Sequence, residues 1–395
     1  MSKRTAPKSD PLDLAGIDDL LSPEEKAVRQ AVRQVCDASV EPYIAGWYES
    51  GELPSVRELA KELGSLGLLG MHLEGYGCAG TSAVAYGLAC LELEATDSGL
   101  RSLVSVQGSL AMYAIHRFGS EEQKREWLPR MASGEAIGCF GLTEPDHGSD
   151  PGGMRTRARR EGGDWVLDGR KMWITNGSVA SVAVVWARTD EGVRGFVVPT
   201  DTPGFSAPLI THKGSLRASV TSELLLDGVR LPGDAVLPEV TGLRGPLSCL
   251  NEARYGILWG ALGAARSCFR TALSYAKERE QFGRPLAGFQ LTQAKLADMA
   301  VELTNGTLLA LHLGRRKDAV GLRPEQVSIG KLNNVNKALE IARSARTILG
   351  ANGISLEFPV MRHMANLESV LTYEGTAEMH TLMIGQALTG VSALR

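Results

Sequence analysis

The sequence predicts a multidomain α+β protein, helical in its first and last segments with β structure between them. Three observations predict this. The chain has 395 residues, more than the roughly 250–300 at which a single hydrophobic core stops growing, so two or three subdomains are expected. Its 45 glycines are unevenly placed: residues 136–245 hold 17 Gly and 7 Pro, and the other 285 residues hold 28 Gly and 10 Pro. That contrast separates a turn-rich β segment from helical flanks. Apolar residues step by three and four in the flanks, and β-branched runs appear only in the middle.

Residues 1–20 carry no apolar stretch and read as a mobile tail. The first helical segment, 21–135, opens on Ser22-Pro23-Glu24-Glu25, a capping box with proline at the first helical position. Val28, Val32 and Val35 follow at helical spacing. Ser120-Glu121-Glu122-Gln123 is a second capping box, opening a short helix expected to end near Pro129. In the segment 136–245, Trp165–Leu167 and Lys171–Thr175 flank Asp168-Gly169 and read as a hairpin. Val182–Trp186, Gly195–Val198 and Leu224–Leu226 are further strands, and Asp227-Gly228 is another turn signal. From 246 to 395 long helices return. Leu332, Val335, Leu339, Ala342, Ala345 and Leu349 form one amphipathic stripe, and about four such helices would pack as a bundle.

Composition excludes several function classes. With 42 Lys+Arg against 45 Asp+Glu there is no basic excess for nucleic acid. No apolar run reaches about 18 residues, so no membrane insertion is expected. Six scattered cysteines without a CxxC read as buried thiols of a cytoplasmic protein. Seven histidines show no HExxH spacing, so no metal is expected.

Two stretches carry chemistry. Tyr373-Glu374-Gly375-Thr376 sets a carboxylate at a backbone break, where glycine permits close approach of a substrate; a solvated surface turn is the commoner reading of these four residues alone. Cys139–Asp150 is dense in Gly, Thr and Ser. It lacks the Gly-Lys-Ser/Thr of a phosphate loop and suits the edge of a flat polar heterocycle, or an ordinary inter-domain loop.

These stretches occur with Gly75–Gly80, Asp97–Ser102, Gly119–Gln123, Trp173–Asn176, Leu250–Gly256 and Arg279-Glu280-Gln281-Phe282-Gly283, in one order. In this the chain resembles the acyl-CoA dehydrogenases from about Leu21 to Gly390, and within them the glutaryl-CoA branch. The resemblance implies an N-terminal α-helical domain, a middle β-barrel and a C-terminal four-helix bundle. It implies FAD between barrel and bundle, a homotetramer built as a dimer of dimers, and an electron-transfer flavoprotein as acceptor. Glu374 becomes the base that takes the α-proton of an acyl-CoA substrate, its own N–H and a flavin ribityl hydroxyl serving the thioester oxygen. One such donor is typically worth about 3–4 kcal/mol.

Other roles follow by position. Phe140, Leu142, Thr143, Gly148 and Ser149 would line the flavin from the barrel, Trp173, Ile174 and Thr175 its other edge, and Thr376 would reach it from the catalytic link. Arg279, with Phe282, Gln290, Leu349, Gly350 and Gly353, would reach a neighbouring subunit's FAD, where a guanidinium fork suits a diphosphate. Ser149, Leu247, Ser248, Leu250, Asn251 and Arg254 match the CoA contacts, with Gly375 beside the thioester; Arg254 reads equally as an internal ion-pair partner. Glu94 and Arg101 are seven apart, expected on one helix face. With Ser102 they match the residues that hold a terminal carboxylate, and a simple Glu94–Arg101 pair is the alternative. Tyr373 matches decarboxylating relatives, so glutaryl-CoA would yield crotonyl-CoA and CO2. A monocarboxylic acyl-CoA substrate, an acyl-CoA oxidase and a non-catalytic CoA-binding scaffold are the rival readings. His147, a local departure, is expected to face solvent.

Overall fold

In the first segment two helices begin where the capping boxes ask for them, at Pro23 and at Glu121. The structure, a computed structural model, describes residues 10–393. In α1 (Pro23–Val35) the Ser22 hydroxyl accepts the Glu25 N–H while the Glu25 carboxylate accepts the Ser22 N–H at 2.8 Å. Two otherwise orphaned helix donors are thereby satisfied. After α2 (Ile44–Ser50) and α3 (Val56–Ser65) comes α4 (Ala83–Thr96), which is apolar on nearly every side and almost wholly buried. A helix of that kind belongs at a centre rather than a surface. The chain breaks at Asp97, whose extended backbone and side chain cap α5 (Ser98–Ser105). A π-helical stretch, Val106–Met112, leads into α6 (Tyr113–Phe118), and α7 covers Glu121–Ala132.

Two expectations need correction here. The tail does not extend to residue 20: Ile17 is buried, and Asp18 pairs with Arg29 at 2.6 Å. Residues 1–9 lie outside the described residues. Helix α7 continues past Pro129 to Ala132. Pro129 and Arg125 lie on the exposed face, so the carbonyl that proline leaves unbonded meets water.

The middle segment is a seven-stranded sheet: β1 (Gly138–Gly141), β2 (Arg157–Glu161), β3 (Asp164–Thr175), β4 (Val182–Thr189), β5 (Gly192–Pro199), β6 (Phe205–Ser206) and β7 (Thr221–Leu231). The path runs β1-β4-β2-β3-β7-β6, with β5 paired to β4. Among the described residues nothing joins β6 back to β1, so the sheet is curled and open where a barrel was expected. The expected hairpin at Asp168-Gly169 is also corrected: β3 runs straight through it, and β7 runs through Asp227-Gly228. The two Asp-Gly pairs face each other across a slip in register between Leu167 and Gly169, where Asp168 Oδ1 accepts the Gly228 N–H at 2.8 Å. Asp-Gly supplies positive φ to a bulge as readily as to a turn, and here Gly169 has φ 151° and Gly228 φ 60°. The true turn is Gly162-Gly163, between β2 and β3.

The last segment contributes α8 (Arg244–Glu278), α9 (Gln290–Val320), α10 (Pro324–Leu349), α11 (Pro359–Thr372) and α12 (Ala377–Thr389). On α10 the stripe residues Val335, Leu339, Ala342, Ala345 and Leu349 are buried, and Leu332 is half-buried. Helix α8 packs on both α4 and α10, so the first and last segments of the chain share one hydrophobic core.

That core contains charge. Asp97, fully buried, accepts from Arg362 at 2.7 Å, Asn366 at 2.9 Å and the Gly99 N–H at 2.7 Å. The same Asn366 accepts the Leu216 N–H at 2.7 Å, tying the loop before β7 to α11. Replacing Arg362 with Met strands the Asp97 carboxylate, and a broken buried pair costs about 3–5 kcal/mol. The urea midpoint of Arg362→Met is therefore expected to fall well below that of the parent; an unchanged midpoint would show that Asn366 and the Gly99 N–H suffice.

Candidate active site

The link between α11 and α12 is four residues long, and every carbonyl from Tyr373 to Gly375 is held by a cation. Lys331 of α10 donates from Nζ to the Tyr373 carbonyl and, at 2.7 Å, to the Gly375 carbonyl. Arg254 of α8 donates from Nε to the Glu374 carbonyl at 2.7 Å and from a terminal nitrogen to Asn251 Oδ1 at 3.0 Å. Glu374 is thereby held at φ 54°, a conformation uncommon for a residue with a side chain. Gly375 has φ 98°, and a Cβ there would sit 3.1 Å from His380 Nε2 and 3.2 Å from Arg254. Thr376 caps α12 through its hydroxyl. The Glu374 Oε2 is buried with no hydrogen-bond partner. Burial pushes this carboxyl above its ordinary pKa, against the opposing pull of Arg101, Lys331 and Arg254. Burial pulls Lys331 the other way, downward, with Glu374 resisting.

A second cluster lies beside it. Arg101 Nε donates to Glu94 Oε2 at 2.7 Å, both side chains being almost completely buried, and a terminal nitrogen donates to the Tyr373 phenol. Ser98 holds the other Glu94 oxygen at 2.8 Å. Burial is the largest influence on Arg101 and works against its charge, but Tyr373 and Glu94 more than offset it. A guanidinium has five N–H groups, so donors remain for a ligand. The hydroxyls of Ser102 and Ser105 are buried without partners. The two acidic and basic residues do not share one helix face as expected. They meet across the break at Asp97, Glu94 on α4 and Arg101 on α5. Gly260 of α8 makes room for them: a Cβ there would lie 2.1 Å from Glu94 Oε2.

At the end of β1, Phe140 and Leu142 are buried, Thr143 is half-buried, and Gly148 and Ser149 are exposed. Across from them, β3 slips register between Lys171 and Ile174. Trp173 is bulged outward there with φ 61° and 56% exposure, beside buried Ile174 and half-buried Thr175. An apolar floor, hydroxyls at its rim and an exposed indole fit a flat heteroaromatic cofactor such as FAD. Glu144, which the sequence reading passed over, anchors this loop. Its carboxylate accepts the Arg155 N–H at 2.6 Å, the Thr156 N–H at 2.9 Å and Lys171 Nζ at 2.8 Å. Despite burial, these partners hold Glu144 down at about 2; Lys171, with fewer compensations, is pulled down by burial to about 8. His147 does not simply face solvent. It is half-buried, its ring against Gly153, where a Cβ would come within 2.4 Å of Nδ1.

Not all sequence-derived residues converge. Leu247, Ser248, Leu250 and Asn251 follow one another on the first turns of α8, leading to Arg254. Arg254 makes no ion pair with a carboxylate among the described residues; its side chain is committed to the link. Arg279, at the end of α8, instead lines an open cleft of about 600 Å³ with Arg270, Tyr275 and Phe358. Asn352, between Gly350 and Gly353, bonds Tyr275 at 3.0 Å, which brings that turn to the same cleft. Phe282 is 95% exposed, Gln290 is exposed and Leu349 is buried. Lys331 and Gly260 were also missed. Lys331 had a legible signal, since it falls on the apolar stripe of α10, four residues before Val335.

Comparison with known proteins agrees over nearly the whole chain. The acyl-CoA dehydrogenase N-terminal, middle and C-terminal domain families match residues 22–135, 139–229 and 241–389. A human mitochondrial short-chain specific acyl-CoA dehydrogenase is 39% identical over 331 residues, 82% of this chain and 80% of its own. A crystal structure of glutaryl-CoA dehydrogenase from Mycobacterium smegmatis is 73% identical with TM-score 0.97, covering 98% of this chain and 100% of that one. A second glutaryl-CoA dehydrogenase structure from the same organism, in complex with FADH2, is 65% identical with TM-score 0.96 over 98% of this chain and 99% of that one.

The Glu144 anchor makes a pH-dependent prediction. A carboxyl lowered from 4.5 to about 2 contributes stability that is full above pH 4.5 and is lost as pH falls towards 2. Glu144→Gln is expected to remove that acid-side slope and, by leaving Lys171 unpaired, to cost about 3–5 kcal/mol near neutrality. Unfolding curves between pH 2 and 7 check both, and Glu144→Gln/Lys171→Met is expected to recover most of the neutral loss.

Proposed function

The chain belongs to the acyl-CoA dehydrogenase family, and from that premise we propose that it oxidises glutaryl-CoA and decarboxylates it to crotonyl-CoA and CO2. The observation that carries this reading is the buried Arg101, paired to Glu94 and next to the unpartnered Ser102 hydroxyl. Glu94 balances the charge of Arg101, but guanidinium donors are left over beside the Ser102 hydroxyl; a terminal carboxylate would use them, and a monocarboxylic chain brings no such group. The two smegmatis relatives, both glutaryl-CoA dehydrogenases, support the same substrate.

In this reading Glu374 takes the α-proton. A carboxyl raised by burial is a stronger base than a solvated one, and its partnerless Oε2 is free to receive the proton. Bound FAD supplies the hydride acceptor. Phe140, Leu142, Thr143, Gly148, Ser149, Trp173, Ile174, Thr175 and Thr376 would hold it, and Arg279, with Phe282, Gln290, Leu349, Gly350 and Gly353, would reach the cofactor of a neighbouring subunit in a homotetramer. Arg101 and Ser102 would grip the far carboxylate. Oxidation makes that carboxylate vinylogous to a β-keto acid; CO2 leaves, and protonated Glu374 returns its proton to the resulting dienolate. The electrons then pass to an electron-transfer flavoprotein. We assign the cytoplasm as the compartment, in keeping with six unpaired cysteines among the described residues. The domain division at 135 and 245, with a four-helix bundle in the last segment, belongs to the same reading.

Glu374→Gln is expected to remain yellow and to lose bleaching by glutaryl-CoA; bleaching at the parent rate would refute the base. Mass analysis of products with an electron acceptor should find crotonyl-CoA and CO2, and glutaconyl-CoA alone would rule out the second step. Removing Arg101 alone would strand Glu94, so the specificity test is Glu94→Gln/Arg101→Met. Turnover of glutaryl-CoA should drop by ~10-fold or more, the equivalent of about 1.5–3 kcal/mol of charge-assisted bonding. Butyryl-CoA turnover should hold; an equal drop for both would assign the pair to structure.

A further inference from the structure

Lys331 is 1% exposed and has no carboxylate within ion-pair distance among the described residues. A neutral amide could bridge two carbonyls as a structural clasp, and burying an ammonium is the costlier choice. What the charge acts on is visible in the link. No acceptor among the described residues takes the Glu374 N–H. A backbone donor left unbonded by its own chain is open to a ligand. That N–H and the Tyr373 carbonyl are the two ends of one planar peptide group. A cation donating to the oxygen draws electron density from the nitrogen and strengthens the N–H as a donor, the cooperativity seen in hydrogen-bond chains.

We propose that Lys331 is a positioning residue that fixes and polarises the 373–374 peptide, so that the Glu374 N–H can bond the thioester oxygen as negative charge gathers there. Arg254, on the Glu374 carbonyl, holds the next peptide in place and completes the left-handed turn. The inference rests on the reading of Glu374 as the base of an acyl-CoA dehydrogenase. It adds that this one residue's donor strength is set by a side chain 43 positions earlier in sequence.

The test uses acetoacetyl-CoA bound to the flavin-loaded protein, with ionisation of the ligand followed through its enolate ultraviolet absorption as pH is varied. The parent is expected to make the bound ligand more acidic than the free one. Lys331→Met should lower the bound ionisation constant by ~10-fold or more, and Lys331→Gln, a donor without charge, by an intermediate factor. Crotonyl-CoA affinity should change by less than ~3-fold, since a lost structural clasp would weaken both ligands alike. Equal ionisation in Lys331→Gln and the parent overturns the role of the cation, and that comparison decides the matter if Lys331→Met fails to retain flavin. Equal losses for both ligands overturn it as well. A parent that ionises acetoacetyl-CoA no better than water does refutes the underlying assignment of the site instead, an outcome distinct from either.

Discussion

Buried positive charge is the constraint around which the helical core is arranged. Arg101, Arg254, Lys331 and Arg362 all lie in the interface of helices from both ends of the chain. An unpaired ion there would destabilise the core by several kcal/mol, so each must find an acid or a carbonyl. Arg362 finds Asp97, Arg101 finds Glu94, and Lys331 and Arg254 find the carbonyls of the 373–375 link. Acceptors for the first two become available because the chain breaks at Asp97; acceptors for the others exist because it breaks between α11 and α12. The two breaks in helical structure are therefore what allow the charges to be buried, and they bring Arg101 and Glu374 to either side of Tyr373.

The sheet solves a different problem. A residue must face outward from a buried edge, and β3 achieves this by a second irregularity, between Lys171 and Ile174, that turns Trp173 into solvent. Glu144 stiffens the opposing loop by taking Lys171 from that same irregular stretch. The loop and the bulge are thus referenced to one buried ion pair. Shifts at Glu144 should be felt at Trp173 through Lys171 and Met172, whose N–H bonds the Thr143 carbonyl at 2.8 Å.

Local chemistry was legible in the sequence wherever one stretch determined the outcome. The capping boxes at Ser22 and Ser120 and the stripe from Val335 to Leu349 formed as their residues demand. So did the helical–sheet–helical order, which glycine and proline placement revealed together with the apolar spacing of the flanks. The failures came where a distant partner decided. Asp168-Gly169 is a competent turn in isolation; only pairing with Asp227-Gly228 across the sheet makes it a bulge. The seven-residue spacing of Glu94 and Arg101 pointed to the right contact for the wrong reason, since the helix breaks between them. Glu144 and Lys171 carried no local signal, because their meaning is a contact 27 residues apart. Lys331 was readable in principle, as a lysine at a core position of an amphipathic helix.

In the proposed reading, the location of Glu374 follows from what one residue is asked to supply. On a helix its carboxylate could still act as a base, but its N–H would be spent on the carbonyl four residues earlier. On an inter-helix link the same residue offers both a proton acceptor and a free donor a few ångströms apart. The arrangement has two costs, a left-handed backbone at Glu374 and three successive carbonyls outside any helix. Lys331 and Arg254 offset both, because the hydrogen bonds that satisfy those carbonyls are also what hold the turn. Gly375 then follows necessarily, since a side chain at φ 98° would press on His380 and Arg254. A glutamate beside a glycine between two helices, which by itself reads more readily as a surface turn, is in the proposed reading a placement that lets an acid work with its own backbone.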